Sequence, residues 1–245
     1  MLRTIIGLWL ILGISACSLF PSTADDPKNW DAERYYQEAR AALKSEDFQT
    51  AIEYFEGLQT RYPFGTYAQQ ALLEIAYAYF RFDEPQLAIS TANRFIKLHP
   101  RHEHVDYAYY LKGLANFYAG VGSIDDWFKQ EVSDRDIEPY KQSFKDFREL
   151  IDKFPQSRYA EDARQRMIHL RNQLARNEYN TALFYQERKA YAASANRAKY
   201  ILEHFQGSPY INGALDILAE SYKALGLDGA SQDTLKVKSL NPPPK

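Results

Sequence analysis

The sequence predicts an all-α fold built from a row of helical hairpins, and three observations support this prediction. The composition is typical of helices, since the 245 residues include 29 Ala and only four Val. Apolar residues recur at helical spacing, as at Ala51, Ile52, Phe55 and Leu58. A pattern of small, aromatic and proline residues also returns five times along the chain. Together these features predict a repeat array with a substantial core.

The repeated pattern starts at a small residue and closes twelve positions later, in four of five cases at a proline. The small residues are Ala51, Ala88, Ser143, Ser194 and Ala230, and the closing residues are Pro63, Pro100, Pro155, Gln206 and Pro242. A small residue lets two helices approach closely, and a proline cannot continue a helix interior. A helical hairpin of about 34 residues with these marks is the tetratricopeptide repeat. The predicted fold class is therefore an α-solenoid of about five tetratricopeptide helix-turn-helix repeats.

The pattern also sets the bounds of the repeats. We place them at residues 31–64, 67–101, 103–156, 158–207 and 209–243, and the last is expected to act as a cap. Successive small residues are 37, 55, 51 and 36 positions apart, so the third and fourth repeats are expected to carry insertions. The largest irregular segment, residues 119–136, lies in the third repeat and contains the aromatic pair Trp127-Phe128. This pair could dock a partner or simply cover a neighbouring helix.

The amino-terminal 30 residues have the pattern of a secreted lipoprotein. An apolar stretch at residues 5–14, too short to span a bilayer, is followed by small residues and then by Cys17, the only cysteine in the chain. This pattern predicts a signal peptide over residues 1–16 and a tether over residues 17–30. The string Ile-Ser-Ala-Cys resembles the bacterial lipobox, which implies a lipid on Cys17. The alternative is an ordinary secreted protein with a single thiol.

Several classes of function are not supported by the sequence. The formal net charge of −2 argues against nucleic-acid binding. No nucleophile elbow, phosphate-binding loop or zinc signature occurs, so no catalytic residue, metal ligand or cofactor is predicted. One ligand-rich patch contains His99, His102 and His104 with Glu103 and Asp106. Because His99 and His104 occupy the aromatic positions of the repeat, packing is the preferred interpretation of this patch, and a metal site is the alternative.

Two strings are more specific than the repeats themselves. They read Arg61-Tyr62-Pro63-Phe64-Gly65 and Ser133-Asp134-Arg135-Asp136. With the lipobox and the repeats, they resemble the BamD family of lipoproteins, which take part in assembling β-barrel proteins into the bacterial outer membrane. Thr66 departs from the family pattern, which commonly has proline there, and Gln206 replaces the fourth closing proline of the repeats. The resemblance implies a protein without enzymatic activity, anchored by lipid to the periplasmic face of the outer membrane.

The resemblance also implies which parts of the chain bind other proteins. Residues 31–101 would receive unfolded β-barrel substrates, and residues 158–243 would dock the POTRA domains of BamA, with BamC and BamE alongside. The candidate residues of the substrate groove are Tyr35, Tyr36, Arg61, Tyr62, Phe64, Tyr67, Tyr77, Phe80 and Arg81. The candidate partner contacts are Trp127, Phe128, Asp134, Arg135, Asp136 and Arg197. Arg197 could instead be a surface residue paired with a nearby acid such as Glu203, and residues 134–136 could be an ion pair that organises their loop.

Two other classes of function remain as alternatives. A pilotin or scaffold for another envelope complex, such as a pilus secretin, also combines a lipobox with tetratricopeptide repeats. It has no reason to carry both specific strings. An enzyme on a helical scaffold would need titratable groups converging in one cleft, and the sequence offers no such set.

Overall fold

The structure is a computed structural model that describes residues 27–121 and 137–241. Within these residues the chain forms ten α-helices and no β-strand, which confirms the predicted all-α class. None of the described helices is both long and apolar enough to cross a membrane. The chain divides into two compact units, residues 1–78 and 79–245.

The first unit contains two helices and most of a third. They are α1 (Ala32–Lys44), α2 (Phe48–Arg61) and the first part of α3 (Thr66–Arg81). Asp31 and Asp47 start α1 and α2, and each side chain accepts a hydrogen bond from a backbone N–H three residues ahead, at 2.8 and 3.1 Å. Phe55 and Leu58 on α2 are fully buried, so the apolar face predicted for this helix forms the core of the unit.

The second unit contains the end of α3 and the remaining seven helices. They are α4 (Pro85–Leu98), α5 (Val105–Val121), α6 (Glu138–Lys153), α7 (Ala160–Glu187), α8 (Tyr191–His204), α9 (Ile211–Ala224) and α10 (Asp228–Leu240). From α4 to α10, each helix packs against the next one in the chain. Helices α2, α4, α6 and α8 end two residues before Pro63, Pro100, Pro155 and Gln206, as the repeat pattern predicts.

The turns inside four of the helix pairs share one geometry. Each consists of three residues, and its middle residue adopts a left-handed conformation, with φ between 59° and 75°. These middle residues are Glu46, Asp83, Lys189 and Gly226. Gly226 belongs to the residue type that favours this conformation and Asp83 to one that tolerates it, whereas a left-handed Glu46 or Lys189 costs about 1–2 kcal/mol. At Glu46 and Lys189 the packing of the hairpin therefore imposes the turn, because the residue type does not specify it.

The small residue of the repeat has a second role where it is a serine. The hydroxyl groups of Ser143, Ser194 and Ser231 are buried, and each donates a 2.9 Å hydrogen bond to a backbone carbonyl of the preceding helix. The predicted small residue of the last repeat, Ala230, is therefore wrong by one position. Ser231 lies 37 residues after Ser194, the same spacing as between the first two repeats.

The two long repeats gain their length in different ways. In the fourth repeat the extra residues are helical, because α7 runs without interruption for 28 residues. The insertion predicted for this repeat is therefore an extension of its first helix. Helix α7 packs against α6, α8 and α9. In the third repeat α5 extends to Val121, so the first residues of the predicted loop 119–136 are helical. Residues 122–136 lie outside the described part of the chain.

Helices α5 and α6 approach closely at Gly113. A Cβ atom at this position would lie 2.6 Å from the ring of Phe147, which is fully buried, so a side chain there would displace the ring. Asp146 directly precedes Phe147 on α6 and is also buried. Its carboxylate accepts hydrogen bonds from Asn116 at 2.6 Å and from Gln142 at 3.0 Å, and it pairs with Lys112 at 3.1 Å. A buried charge with this many partners is stable as long as none of them is removed.

Candidate functional site

The predicted groove residues of the first unit differ in exposure. Phe64 is 91% exposed on the turn between α2 and α3, and Tyr62 at the end of α2 is also exposed. Tyr36 and Tyr67 are half-buried. Tyr35 is only 5% exposed, and its ring packs against the backbone of Gly57. Tyr35 therefore belongs to the core of the unit and is not an exposed groove residue as predicted.

Helices α1 and α3 present an aromatic and charged surface in this unit. The rings of Tyr36 and Tyr67 lie 5.3 Å apart, and the Arg40 guanidinium lies 6.0 Å from the Tyr36 ring. Arg40 also donates a 3.0 Å hydrogen bond to Glu74, whose pKa is raised by burial although Arg40 opposes the shift. This surface offers ring faces and a cation to an extended chain.

The residues that precede α1 are folded onto the same unit. Pro27–Asn29 forms a short 3-10 helix, and the following Trp30 is 6% exposed. The Tyr62 hydroxyl donates a 2.9 Å hydrogen bond to the Trp30 carbonyl oxygen, and Arg61 donates one to the Lys28 carbonyl oxygen. The last four residues of the predicted tether are therefore part of the first unit. Arg61 and Tyr62, predicted to contact substrate, hold this segment.

The other predicted groove residues follow along α3. Tyr77 belongs to the first unit, whereas Phe80 and Arg81 belong to the second. Phe80 is half-buried, and its ring lies 5.6 Å from that of Tyr118 on α5. Arg81 is half-buried as well. The nine predicted residues thus do not form one cluster within a single unit.

In the second unit, helices α7 and α8 form a pocket around Arg197. The pocket has a volume of about 270 Å³ and is lined by Tyr185, Ala193, Asn196, Arg197 and Tyr200. The Tyr200 ring stacks on His204 at 4.0 Å, which fixes one wall of the pocket. Because a guanidinium, an amide and two phenol rings line the pocket, it can receive an acidic or amide side chain with apolar flanks.

The Arg197 side chain forms an internal ion pair and also lines the pocket. Its Nη1 atom lies 3.0 Å from Oε2 of Glu178 on α7, and its side chain remains 45% exposed. Glu178 is only 8% exposed, so Arg197 neutralises a buried carboxylate as well as lining the pocket. The predicted alternative of a pairing with an acid is thus realised, with Glu178 in place of Glu203. The guanidinium has five N–H donors, so pairing with Glu178 leaves donors for a second acceptor.

The histidine patch continues the repeat geometry at the turn from α4 to α5. In the two later turns of this kind, the hydroxyls of Ser157 and Ser208 accept the backbone N–H two residues ahead, each at 3.2 Å. His102 takes this position, and its Nδ1 atom accepts the backbone N–H of His104 at 3.1 Å. His102 therefore acts as a structural acceptor at the start of α5 and must be neutral at Nδ1 to do so.

This role of His102 predicts a pH dependence of stability. Burial lowers the pKa of His102, with further lowering by His104 and His99 and an opposing effect of Glu103. Because the folded pKa is below the unfolded one, its contribution is present above the unfolded pKa and is lost as pH falls through the folded pKa. We expect the melting temperature to decrease as the pH is lowered from about 7.5 to about 5. The decrease should be smaller in His102→Ser, because a serine hydroxyl can still accept the hydrogen bond and does not titrate in this range. Thermal melts at both pH values test this, and equal pH dependence in both proteins would contradict it.

No cluster of three or more His, Cys, Asp or Glu side chains within residues 27–121 and 137–241 is arranged to hold a metal ion.

Arg166 and Arg171 on α7 form contacts with other side chains and with the backbone. Arg166 pairs with Asp162 at 2.6 Å and lies 5.2 Å from the Phe117 ring, and Arg171 donates to the Gln206 carbonyl at 3.2 Å. These cations hold α7 against its neighbours.

Residues 28–237 match the family described as YfiO, outer membrane lipoprotein. The chain belongs to this family. A relative from Vibrio cholerae serotype O1 is 37% identical over 240 residues, which cover 98% of each chain. A relative from Neisseria gonorrhoeae is 37% identical over 99% of this chain and 92% of its own. A relative from Xylella fastidiosa strain Temecula1 is 34% identical over 90% of this chain and 74% of its own. All three are described as outer membrane protein assembly factor BamD.

Membership of the YfiO family confirms the resemblance drawn from the two specific strings. The lipobox-like string that ends at Cys17 lies outside the matched residues 28–237 and outside the described residues, so the lipid on Cys17 stays a prediction. Trp127, Phe128, Asp134, Arg135 and Asp136 also lie outside the described residues. Arg197 is therefore the predicted partner residue whose surroundings the structure describes. Sequence reasoning missed Glu178 and Trp30, because both act through contacts between residues far apart in the chain.

Proposed function

We propose that this chain is a non-catalytic assembly factor that helps β-barrel proteins enter the bacterial outer membrane. The observation that carries the proposal is the 37% identity to an assembly factor over 98% of both chains. The helical repeats support it, because such arrays present extended surfaces that bind other proteins. The proposal needs no cofactor, and nothing in the sequence predicts a catalytic residue.

The first part of this function is to bind unfolded β-barrel proteins through the amino-terminal repeats. The substrates of this machinery end in an aromatic-containing β-signal. Tyr36, Tyr67 and the exposed Phe64 offer ring contacts, and Arg40 is available for charge and cation–π interactions. An extended chain with aromatic side chains fits this chemistry.

The second part is to dock the POTRA domains of BamA through the carboxy-terminal repeats, with BamC and BamE in the same complex. The Arg197 pocket supports this docking, because a half-exposed guanidinium in a pocket lined by Tyr185 and Tyr200 suits an acidic side chain from a partner. Residues 122–136, which include Trp127 and Phe128, are a further candidate contact.

The third part is a lipid anchor on Cys17 that holds the repeats at the periplasmic face of the outer membrane. Support comes from the lipobox-like string, the single cysteine and the family description. Several acyl chains give durable attachment, whereas one chain gives only marginal binding.

Site-specific crosslinking tests the substrate-binding part. We expect a photoreactive residue at position 36 or 67 to capture a peptide with a terminal Phe, because both positions lie on the aromatic surface of the first unit. The same peptide with a terminal Ala serves as the matched control and should label several-fold less. A photoreactive residue at position 185 reports on the fourth repeat. Labelling confined to the fourth and fifth repeats would reject the assignment of the substrate surface.

A further inference from the structure

The segment before α1 is bound to the first unit in the way a peptide ligand would be. The Trp30 ring lies between the rings of Tyr35 and Tyr54, with centroid distances of 5.2 and 5.0 Å, and the Arg34 guanidinium lies 5.0 Å from it. We call these three side chains the Trp30 socket. They come from α1 and α2, so the socket is formed by the first repeat, and Trp30 lies outside the repeat.

Two hydrogen bonds that hold the segment do not depend on its own sequence. Arg61 and Tyr62 donate hydrogen bonds to the carbonyl oxygens of Lys28 and Trp30, and any residue presents such carbonyls. The ring contacts of the socket require only an aromatic side chain, because edge-to-face packing is available to every aromatic ring. Backbone capture combined with an aromatic socket is a general way of recognising an extended chain.

The indole N–H group of Trp30 makes no hydrogen bond in this socket. Its nitrogen atom, Nε1, is also buried. A buried donor without a partner is unfavourable, because it has lost water and gained nothing in exchange. A Phe side chain would fill an aromatic socket without bringing a donor. An aromatic residue without an N–H group thus avoids a penalty that Trp30 carries in this socket.

We propose that the Trp30 socket is a binding site for an aromatic side chain of an unfolded substrate, and that Trp30 is an internal occupant which the substrate displaces. The inference rests on the proposed function, because it takes an extended aromatic chain as the ligand. It assigns to Arg61 and Tyr62 the capture of the ligand backbone once residues 27–30 have left.

An internal occupant lowers the apparent affinity for a competing ligand. The affinity falls in proportion to the fraction of molecules whose socket is free. If the socket is free in about one molecule in ten, removing the Trp30 ring raises the affinity for an aromatic peptide about tenfold. Replacing Trp30 by Phe has the opposite effect, because the new side chain lacks the unpaired N–H and competes better.

Fluorescence of Trp30 tests the displacement directly. The chain has three tryptophans, and Trp9→Phe with Trp127→Phe leaves Trp30 as the only one. The probe is a short unlabelled peptide that ends in Phe and contains no Trp. The same peptide ending in Ala is the control. At saturating Phe peptide, we expect the emission of Trp30 to shift to longer wavelength and to become accessible to acrylamide, because the ring moves from a buried site into water.

Binding of a fluorescently labelled version of the same peptide distinguishes failure of Trp30 displacement from failure of the proposed substrate-binding function. In fluorescence anisotropy, Trp30→Ala should bind the Phe peptide about tenfold more tightly and Trp30→Phe more weakly than the unmodified chain. Unchanged Trp30 emission at a peptide concentration that saturates the anisotropy signal would overturn displacement while leaving the proposed function intact. Absence of binding to the unmodified chain and to both variants would overturn the proposed function, and this inference with it. The emission measurement stands even if Trp30→Ala fails to fold.

Discussion

Arg197→Glu should bind the POTRA-containing partner at least about 30-fold more weakly than the unmodified chain, a loss of about 2 kcal/mol or more. The half-exposed guanidinium lines a pocket together with two tyrosines, so reversing its charge would repel an acidic side chain that the pocket is proposed to receive. The measurement is the affinity of the two purified proteins, and the salt dependence of binding should decrease with the loss of the charge.

The same substitution also damages the fold, because it places a second carboxylate beside Glu178. Leaving this buried acid without its cation should lower the free energy of unfolding by about 3 kcal/mol. Arg197→Glu alone therefore cannot separate docking from folding. The double variant Glu178→Gln with Arg197→Gln removes both charges and keeps two side chains able to hydrogen-bond each other. It should melt within a few degrees of the unmodified chain and still lose the partner. Normal melting with normal partner binding in this double variant would contradict a docking role for Arg197.

Cys17→Ser should release the protein from membranes into the soluble periplasmic fraction. Each buried CH₂ of an acyl chain contributes about 0.8 kcal/mol, so several chains account for nearly all of the proposed membrane affinity. No described helix is suited to replace this anchor by spanning the bilayer. The measurement is the distribution of the protein between soluble and membrane fractions.

Ser18→Asp provides a matched control for the anchor. It leaves Cys17 available for lipid, and an Asp at this position resembles the signal that retains lipoproteins at the inner membrane. The variant should therefore stay with membranes and move to the inner-membrane density. A Cys17→Ser protein that continues to sediment with membranes would show that Cys17 does not carry the anchor.

Most of the fold could be predicted from the sequence because its signals are local. Helix ends follow closely from residues such as Pro63 and Pro155, since proline restricts the backbone wherever it occurs. The register of Ser231 could not be predicted, because a serine and an adjacent alanine fit the pattern equally until the hydroxyl meets the Ala219 carbonyl. The left-handed turn at Lys189 is likewise imposed by packing of the hairpin and has no local signal.

The candidate sites were less predictable because they depend on contacts between distant residues. Arg197 was found through a family resemblance, but its partner Glu178 lies 19 positions earlier on another helix. The sequence predicts Trp30 as the last residue of a tether. Its burial depends on Tyr35 and Tyr54, whose rings meet only when α1 and α2 pack. Helical periodicity predicts which face of a helix is buried, but it does not predict which partner covers it.

Copurification from detergent-solubilised outer membranes tests the central claim most directly. An affinity-tagged chain with an intact Cys17 is captured after mild solubilisation, and its partners are identified by mass spectrometry. Our account predicts recovery of a large β-barrel protein with POTRA domains, and loss of that protein in the Glu178→Gln, Arg197→Gln double variant. Recovery of a pilus secretin, with no POTRA-containing barrel, would contradict the account and support a pilotin instead.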